Sequence, residues 1–265
     1  MSPSSDVTQL PRTLQRPAFA DVPRANIAAV APDLANVPRE FVRRRLCKEA
    51  PQMLRSTASL NLPQAIPKAA IASTPSLSIP IRNASSTYPT HLLAISQSQS
   101  RSSPPELPLY ATHSLVLATA CSALPALPPS QLHPNATSLN LPILPLAVPA
   151  PAAFPALHAY LYTHDVPALL SALAPLPPTF LASITSAPSS VAHTLSSGPA
   201  LHQLSAHAVH TLRGDRAALM GLAQRVNGLW KNACALGVHD PELWDAMDLA
   251  WEVVLGALNL AAGKA

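Results

Sequence analysis

Ten histidines, three cysteines and thirteen carboxylates are the residues through which this chain could do chemistry. All ten histidines lie after residue 90, and the closest group is His202, His207 and His210, with His193 nearby. On a helix, positions 203, 207 and 210 share a face, but 203 is glutamine. His207 and His210 could hold a metal only with a ligand from elsewhere, and no cysteine or carboxylate stands beside them at ligand spacing. His158 and His164 read as solvent-facing or helix-end residues. His239-Asp240 beside Glu242 gathers proton-transfer groups, but a position between two helical stretches makes capping the expected role. Serines are plentiful without a Gly-x-Ser-x-Gly elbow, and seven glycines leave no phosphate-cradling loop. Cys121 and Cys234 sit in apolar helical settings and read as inert. The residues point to a protein that is not an enzyme, with no cofactor, no metal and no small-molecule substrate.

What remains is charge. The net charge is +4, and much of the excess falls in one run, Arg39, Arg43, Arg44, Arg45 and Lys48. Arg43, Arg44, Arg45 and Lys48 are candidates for a nuclear-import signal or for phosphate contact, with plain solvated charge as the third reading. No aromatic platform accompanies the run. Near the other end, Asp245, Asp248 and Glu252 form an acidic surface. With Trp244, in the first turn of its helix, they are candidates for partner binding, since tryptophan is enriched at interface hot spots. Core is the competing role for that tryptophan.

The elements that would position these residues are unevenly written. Frequent prolines and few large apolar side chains make residues 1–104 read as a largely disordered Pro/Ser/Ala-rich arm. It carries a basic segment over 38–55 that reads as a transient helix interrupted at Pro51. SSTYPTHLLAISQSQSRSSPPELP reads as a linker. From about 105 to 264 a folded, mainly helical α+β domain is expected. LPLYAT is extended and HSLVLATACSAL fits a helix, with strand as the alternative for SLVLAT. LNLPILPLAVP reads as an edge strand or polyproline-like segment because of Pro142 and Pro145. FPALHAYLYT, VPALLSALA and LHQLSAHAVHTLRG read as helices, TFLASITSAP as a short helix or strand. VAHTLSSG is ambiguous.

Between Pro199 and Pro241 there is no proline, and the last sixty residues hold all three tryptophans. Asp215 caps a helix through Leu236, Gly237 ends it, and Asp240-Pro241 opens a last helix. That helix carries Leu243, Trp244, Met247, Trp251, Val254, Leu255 and Leu258 on one stripe. The two are expected to pack antiparallel across LGVHD.

The N-terminus lacks the apolar stretch of a secretory signal, and no window of membrane-spanning length is free of breaks. The unpaired, widely spaced cysteines favour a reducing compartment. The sequons at Asn83 and Asn135 would matter only on secretion.

Three stretches resemble one family: LPLYATHSLVLATACSALPALPPS, then LPILPLAVPAPAAFPALHAYLYTHDVPALLSAL, then GLWKNACALGVHDPELWDAMDLAWEVVLGAL. Across roughly 107–260 the chain is similar to the clampless family of mushroom-forming fungi, which has a homologue in smut fungi. The first two stretches also resemble part of a BTB/POZ domain. There a histidine opens a helix after an extended segment, as His113 does. A later helix carries the pattern matched by Phe154, Leu157, Tyr160, Leu161, Tyr162 and Thr163. The resemblance implies a degenerate BTB/POZ-like core followed by antiparallel helices. It implies a regulator of sexual development, acting in clamp-cell formation and dikaryon maintenance downstream of homeodomain mating-type factors. It would act in the nucleus, with cytoplasm as a second location, through a regulatory protein partner for which a homeodomain transcription factor is one candidate. The alternative is a nucleic-acid-binding regulator using the basic segment.

Overall fold

A computed structural model describes residues 10–81, 85, 87–98, 104–130, 138–187 and 189–263. Asn83 and Asn135 lie outside them. The protein is mixed α+β, and it divides into two compact units. One, the sheet unit, comprises Pro17–Asp165 and Lys231–Asp240. The other, the helical unit, comprises the chain up to Arg16, Val166–Trp230, and the residues from Pro241 on.

The sheet unit is built on five strands, β1 Ala65–Pro67, β2 Ser76–Pro80, β3 His91–Gln97, β4 Glu106–Thr112 and β5 Ser138–Val148, in the order β1-β4-β3-β5-β2. β3 is central. It pairs antiparallel with β4 (Leu92 opposite Ala111) and parallel with β5 (Leu92 opposite Ile143). Its Leu92, Leu93, Ala94 and Ile95 are all buried, the continuous apolar run of a strand covered on both faces. This strand lies inside the stretch read as a linker. The local window is diluted by serine, glutamine and proline, and only the short apolar run within it belongs to the core.

β5 corrects a second expectation. Pro142 and Pro145 point to an edge strand, yet β5 lies between β3 and β2. It pairs with β2 over 138–142 and with β3 over 143–148. Each half is therefore paired on one side, which leaves a free edge where a residue without an N–H costs little. Leu139, Leu141 and Ile143 alternate inward onto a cluster with Ile79, Leu107 and Leu109.

Four helices accompany the sheet: α1 Arg24–Val30, α2 Arg39–Ala58, α3 Ser114–Ala120 and α4 Phe154–Thr163. SLVLAT is thus helix. α2 is continuous through Pro51 for 20 residues. Proline removes one backbone bond and costs about 3 kcal/mol in a helix interior. Burial of Val42, Leu46 and Met53 at about 1.5–3 kcal/mol each outweighs it. α2 packs against α3 and α4. The expected disordered arm is therefore ordered across its described residues: it supplies α1, α2 and three of the five strands. Apart from Pro51, its described prolines stand at element ends or between elements, where their missing donors do little harm.

The helical unit holds α5 Val166–Leu173, α6 Pro178–Ser186, α7 Ser190–Leu195, α8 Gly198–Thr211 and α10 Pro241–Ala261, and α9 Arg216–Leu236 has residues in both units. Asp215 and Gly237 act as expected, whereas the Asp240 carboxylate, expected to cap α10, is held by Arg43 and His164. Asp215 Oδ1 accepts from the backbone N–H of Ala217 and Ala218 at 2.9 and 3.2 Å. Gly237 takes the left-handed conformation with φ +66°, and Val238 N–H closes back to Ala233 O at 2.9 Å. α10 contacts α8, α5 and α7. Leu243, Met247, Trp251 and Val254 are buried, and so are Ala246, Leu249, Ala250 and Val253, which makes α10 a central helix.

α8 and α10 approach closely at Gly256. A Cβ there would lie 2.4 Å from Ser205 Oγ, which donates to Val253 O at 3.1 Å. Alanine adds about 1 kcal/mol of intrinsic helix preference. The buried hydroxyl has to move for it, at a cost of about 1–3 kcal/mol in overpacking plus its hydrogen bond. Gly256→Ala is therefore expected to lower the urea midpoint despite the helix preference. Gly256→Ala with Ser205→Gly should recover much of the loss.

Candidate protein-interaction surfaces

Groups from three separate stretches meet beside the end of β4. Tyr162 on α4 has its hydroxyl 2.9 Å from both the backbone N–H and Nδ1 of His113. His113 Nε2 faces the Thr87 carbonyl at 3.4 Å, and His158 Nε2 is 3.2 Å from Thr112 Oγ1. A carbonyl only accepts, so Nε2 of His113 carries the hydrogen and Nδ1 accepts from the Tyr162 hydroxyl. The ring is wired as the neutral tautomer. Burial pushes His113 down to about 4 and His158 also to about 4, the latter with a further push from His113. His158 packs against Tyr110, Phe154 and Tyr162, so the expectation of a solvent-facing residue is corrected. These groups hold β4, α3 and α4 together. The cluster is hydrogen-bonded among its own members and offers no activated nucleophile.

A second polar group joins α2, α4 and the residues before α10. Asp240, buried, accepts from Arg43 Nη1 at 3.1 Å and approaches His164 Nδ1 at 2.8 Å through the same oxygen. His164 ends α4 with φ +48°. Among the described residues no three histidine, cysteine or acidic side chains group to hold a metal, and no helix is long and apolar enough to cross a membrane. Cys121 is buried, and burial pushes its thiol up to about 12.

The residues expected to bind partners are placed as follows. Trp244 is 4 % exposed and belongs to the core of the helical unit, so it offers no surface anchor. Arg16 spans Asp245 and Asp248 at 2.6 Å each, which sets one positive charge against the acidic patch within its own unit. Glu252 lines a groove of about 610 Å³ with Arg12, His202, Ser205 and Asn259.

The basic run separates. Arg43 turns inward to Asp240, and Arg45 pairs with Glu49. Arg44 and Lys48 are exposed on the outer face of α2. Phe41, 67 % exposed, shares that face, as does Arg55. From the sequence Phe41 reads as part of a thin apolar stripe with Val42, Leu46 and Leu54, whereas it stands on the exposed side with the cations. The signal was the spacing of residues 41, 44, 48 and 55, which one side of a helix brings into line.

Two family models decide what the chain is. The model for the N-terminal domain of clampless protein 1 matches residues 17–149, and that for its C-terminal domain matches residues 167–265. The chain belongs to the clampless protein 1 family. It is 28% identical over 120 residues to clampless protein 1 of Cryptococcus neoformans var. neoformans serotype D, strain JEC21, and equally so to that of strain B-3501A. The match covers 45% of this chain and 21% of those relatives. The chain thus spans about a fifth of the length of the curated relatives it matches. No solved structure matches it. The first family domain begins where the sheet unit begins, and takes in α1, α2 and all five strands.

Proposed function

We propose that this protein is a non-enzymatic regulator of fungal sexual development, acting in clamp-cell formation and dikaryon maintenance through protein–protein contact. The observation that carries the reading is the match of both clampless domain models, in order, along most of the chain. The buried histidines support it, since they are consumed in holding elements together. The order hairpin, helix, parallel strand, helix from β3 to α4 supports reading this part as a degenerate BTB/POZ-like interaction module. The partner is a regulatory protein, with a mating-type homeodomain factor as the candidate, and the site of action is the nucleus. Direct nucleic-acid binding is the weaker reading. Of the four cations expected to serve it, Arg43 and Arg45 already hold carboxylates, and two remaining charges make a slight electrostatic footprint.

Titrating the purified full chain against a recombinant mating-type homeodomain protein from a clamp-forming fungus tests the partner. Saturable binding with a Kd of about 10 μM or tighter is expected. Absence of binding at ten times that concentration, with both proteins folded, removes the homeodomain assignment.

A further inference from the structure

We infer that the outer face of α2 is a docking site for an acidic segment of a partner protein, one that sets apolar side chains among its carboxylates. The inference rests on the protein-contact reading of function and assigns it a surface. Residues 41, 44, 45, 48 and 55 lie within about 50° of one direction around the helix, at 100° per residue. Phe41, Arg44, Arg45, Lys48 and Arg55 are all exposed. Along the axis the face spans about 21 Å, at 1.5 Å per residue. The helix carboxylates, Glu40 and Glu49, fall at its two margins, and Glu49 takes Arg45. Arg55 donates to the Pro51 carbonyl at 3.0 Å from Nε. Arg44 and Lys48 have no ion-pair partner among the described residues.

Two features select the occupant. The charge is positive and locally uncompensated, which calls for carboxylates or phosphates. Phe41 is one of two large apolar side chains exposed in the described residues, the other being Phe19 at 71 %. An exposed phenylalanine beside cations gains from an apolar contact that a phosphate backbone does not supply. The marginal glutamates would also repel phosphates running past the helix on either side. A second copy of this chain is a poorer fit, because Asp245 and Asp248 are already held by Arg16. The opposite face of α2, with Val42, Leu46 and Met53, is buried, so α2 would present the site as a rigid helix.

Fluorescence anisotropy with the full chain tests this. The probes are a labelled 14-residue peptide of glutamate and leucine with leucines three and four apart, a labelled oligoglutamate of the same length, and a labelled 20-base-pair DNA duplex. The variants are Arg44→Glu with Lys48→Glu, and Phe41→Ala, each checked by circular dichroism. The expected result is binding of the leucine-containing peptide that weakens at least tenfold in the charge reversal and about threefold in Phe41→Ala. Oligoglutamate should bind more weakly and respond to the charge reversal alone. Equal affinities for wild type and charge reversal would overturn the site. Tighter binding of the duplex, lost in the charge reversal, would reassign it to nucleic acid. Sedimentation showing a dimer that the charge reversal dissociates would reassign it to a second copy. Failure of the peptide with the homeodomain titration still positive would remove this surface and leave the functional reading standing.

Discussion

Between pH 7 and pH 4 the protein is expected to lose about 3 kcal/mol of stability at His113 alone. The unfolded side chain takes its proton near 6.5, whereas burial beside Tyr162 holds the folded one to about 4. A base whose folded pKa is depressed disfavours the protonated form only in the fold. Its contribution is complete above about 6.5 and disappears as the pH falls from there to 4. His158 acts in the same direction, also with a value of about 4, and burial lowers His91 as well. Urea midpoints followed by far-UV circular dichroism at pH 7, 5.5 and 4 should fall steeply below 6.5. A His113→Asn chain should be less stable at pH 7 and show a flatter decline. A midpoint unchanged from pH 7 to 4 would contradict the neutral wiring of the cluster.

Gly237→Ala is expected to cost about 3 kcal/mol or more. Two effects add. The left-handed φ of +66° costs an L residue about 1–2 kcal/mol. The new Cβ would also lie 2.2 Å from Ser122 Oγ and 2.8 Å from the backbone nitrogen of Ala123. Those atoms cannot simply withdraw. Ser122 donates to the Gly237 carbonyl from its N–H at 3.1 Å and its hydroxyl at 2.9 Å, and Ala123 N–H donates to Leu236 O at 3.1 Å. The control is Gly214→Ala, with a similar φ of +70° and open space where the Cβ would go. It should cost about 1 kcal/mol. The difference between the two urea midpoints reads the clash alone, and equal effects would show that the connector is less tightly held than described.

The local signals of the C-terminal third were legible because each is written within one turn: Asp215 as a cap, Gly237 as a stop, Pro241 as a start. The helices over 114–120, 154–163 and 166–173 were legible for the same reason, through their apolar spacing. Long-range order was not. Leu92–Ile95 is a core strand only because β4 and β5 flank it, and nothing within the surrounding Ser/Gln/Pro window announces those partners. α2 carries a thin apolar stripe that becomes decisive once α3 and α4 cover it. The His113–Tyr162–His158 cluster, with the Thr87 carbonyl, draws on three separate stretches, so no spacing rule could assemble it. The acidic surface near Trp244 was read correctly as charge and incorrectly as free, since Arg16 comes to it from 229 positions away along the chain.

The measurement that bears most directly on the function is clamp-cell frequency in a clamp-forming fungus whose own clampless gene has been deleted. Expressing this chain is expected to restore clamp cells, and the folded Arg44→Glu, Lys48→Glu chain to restore few. A chain that accumulates in folded form and leaves the hyphae without clamps would contradict the proposed function.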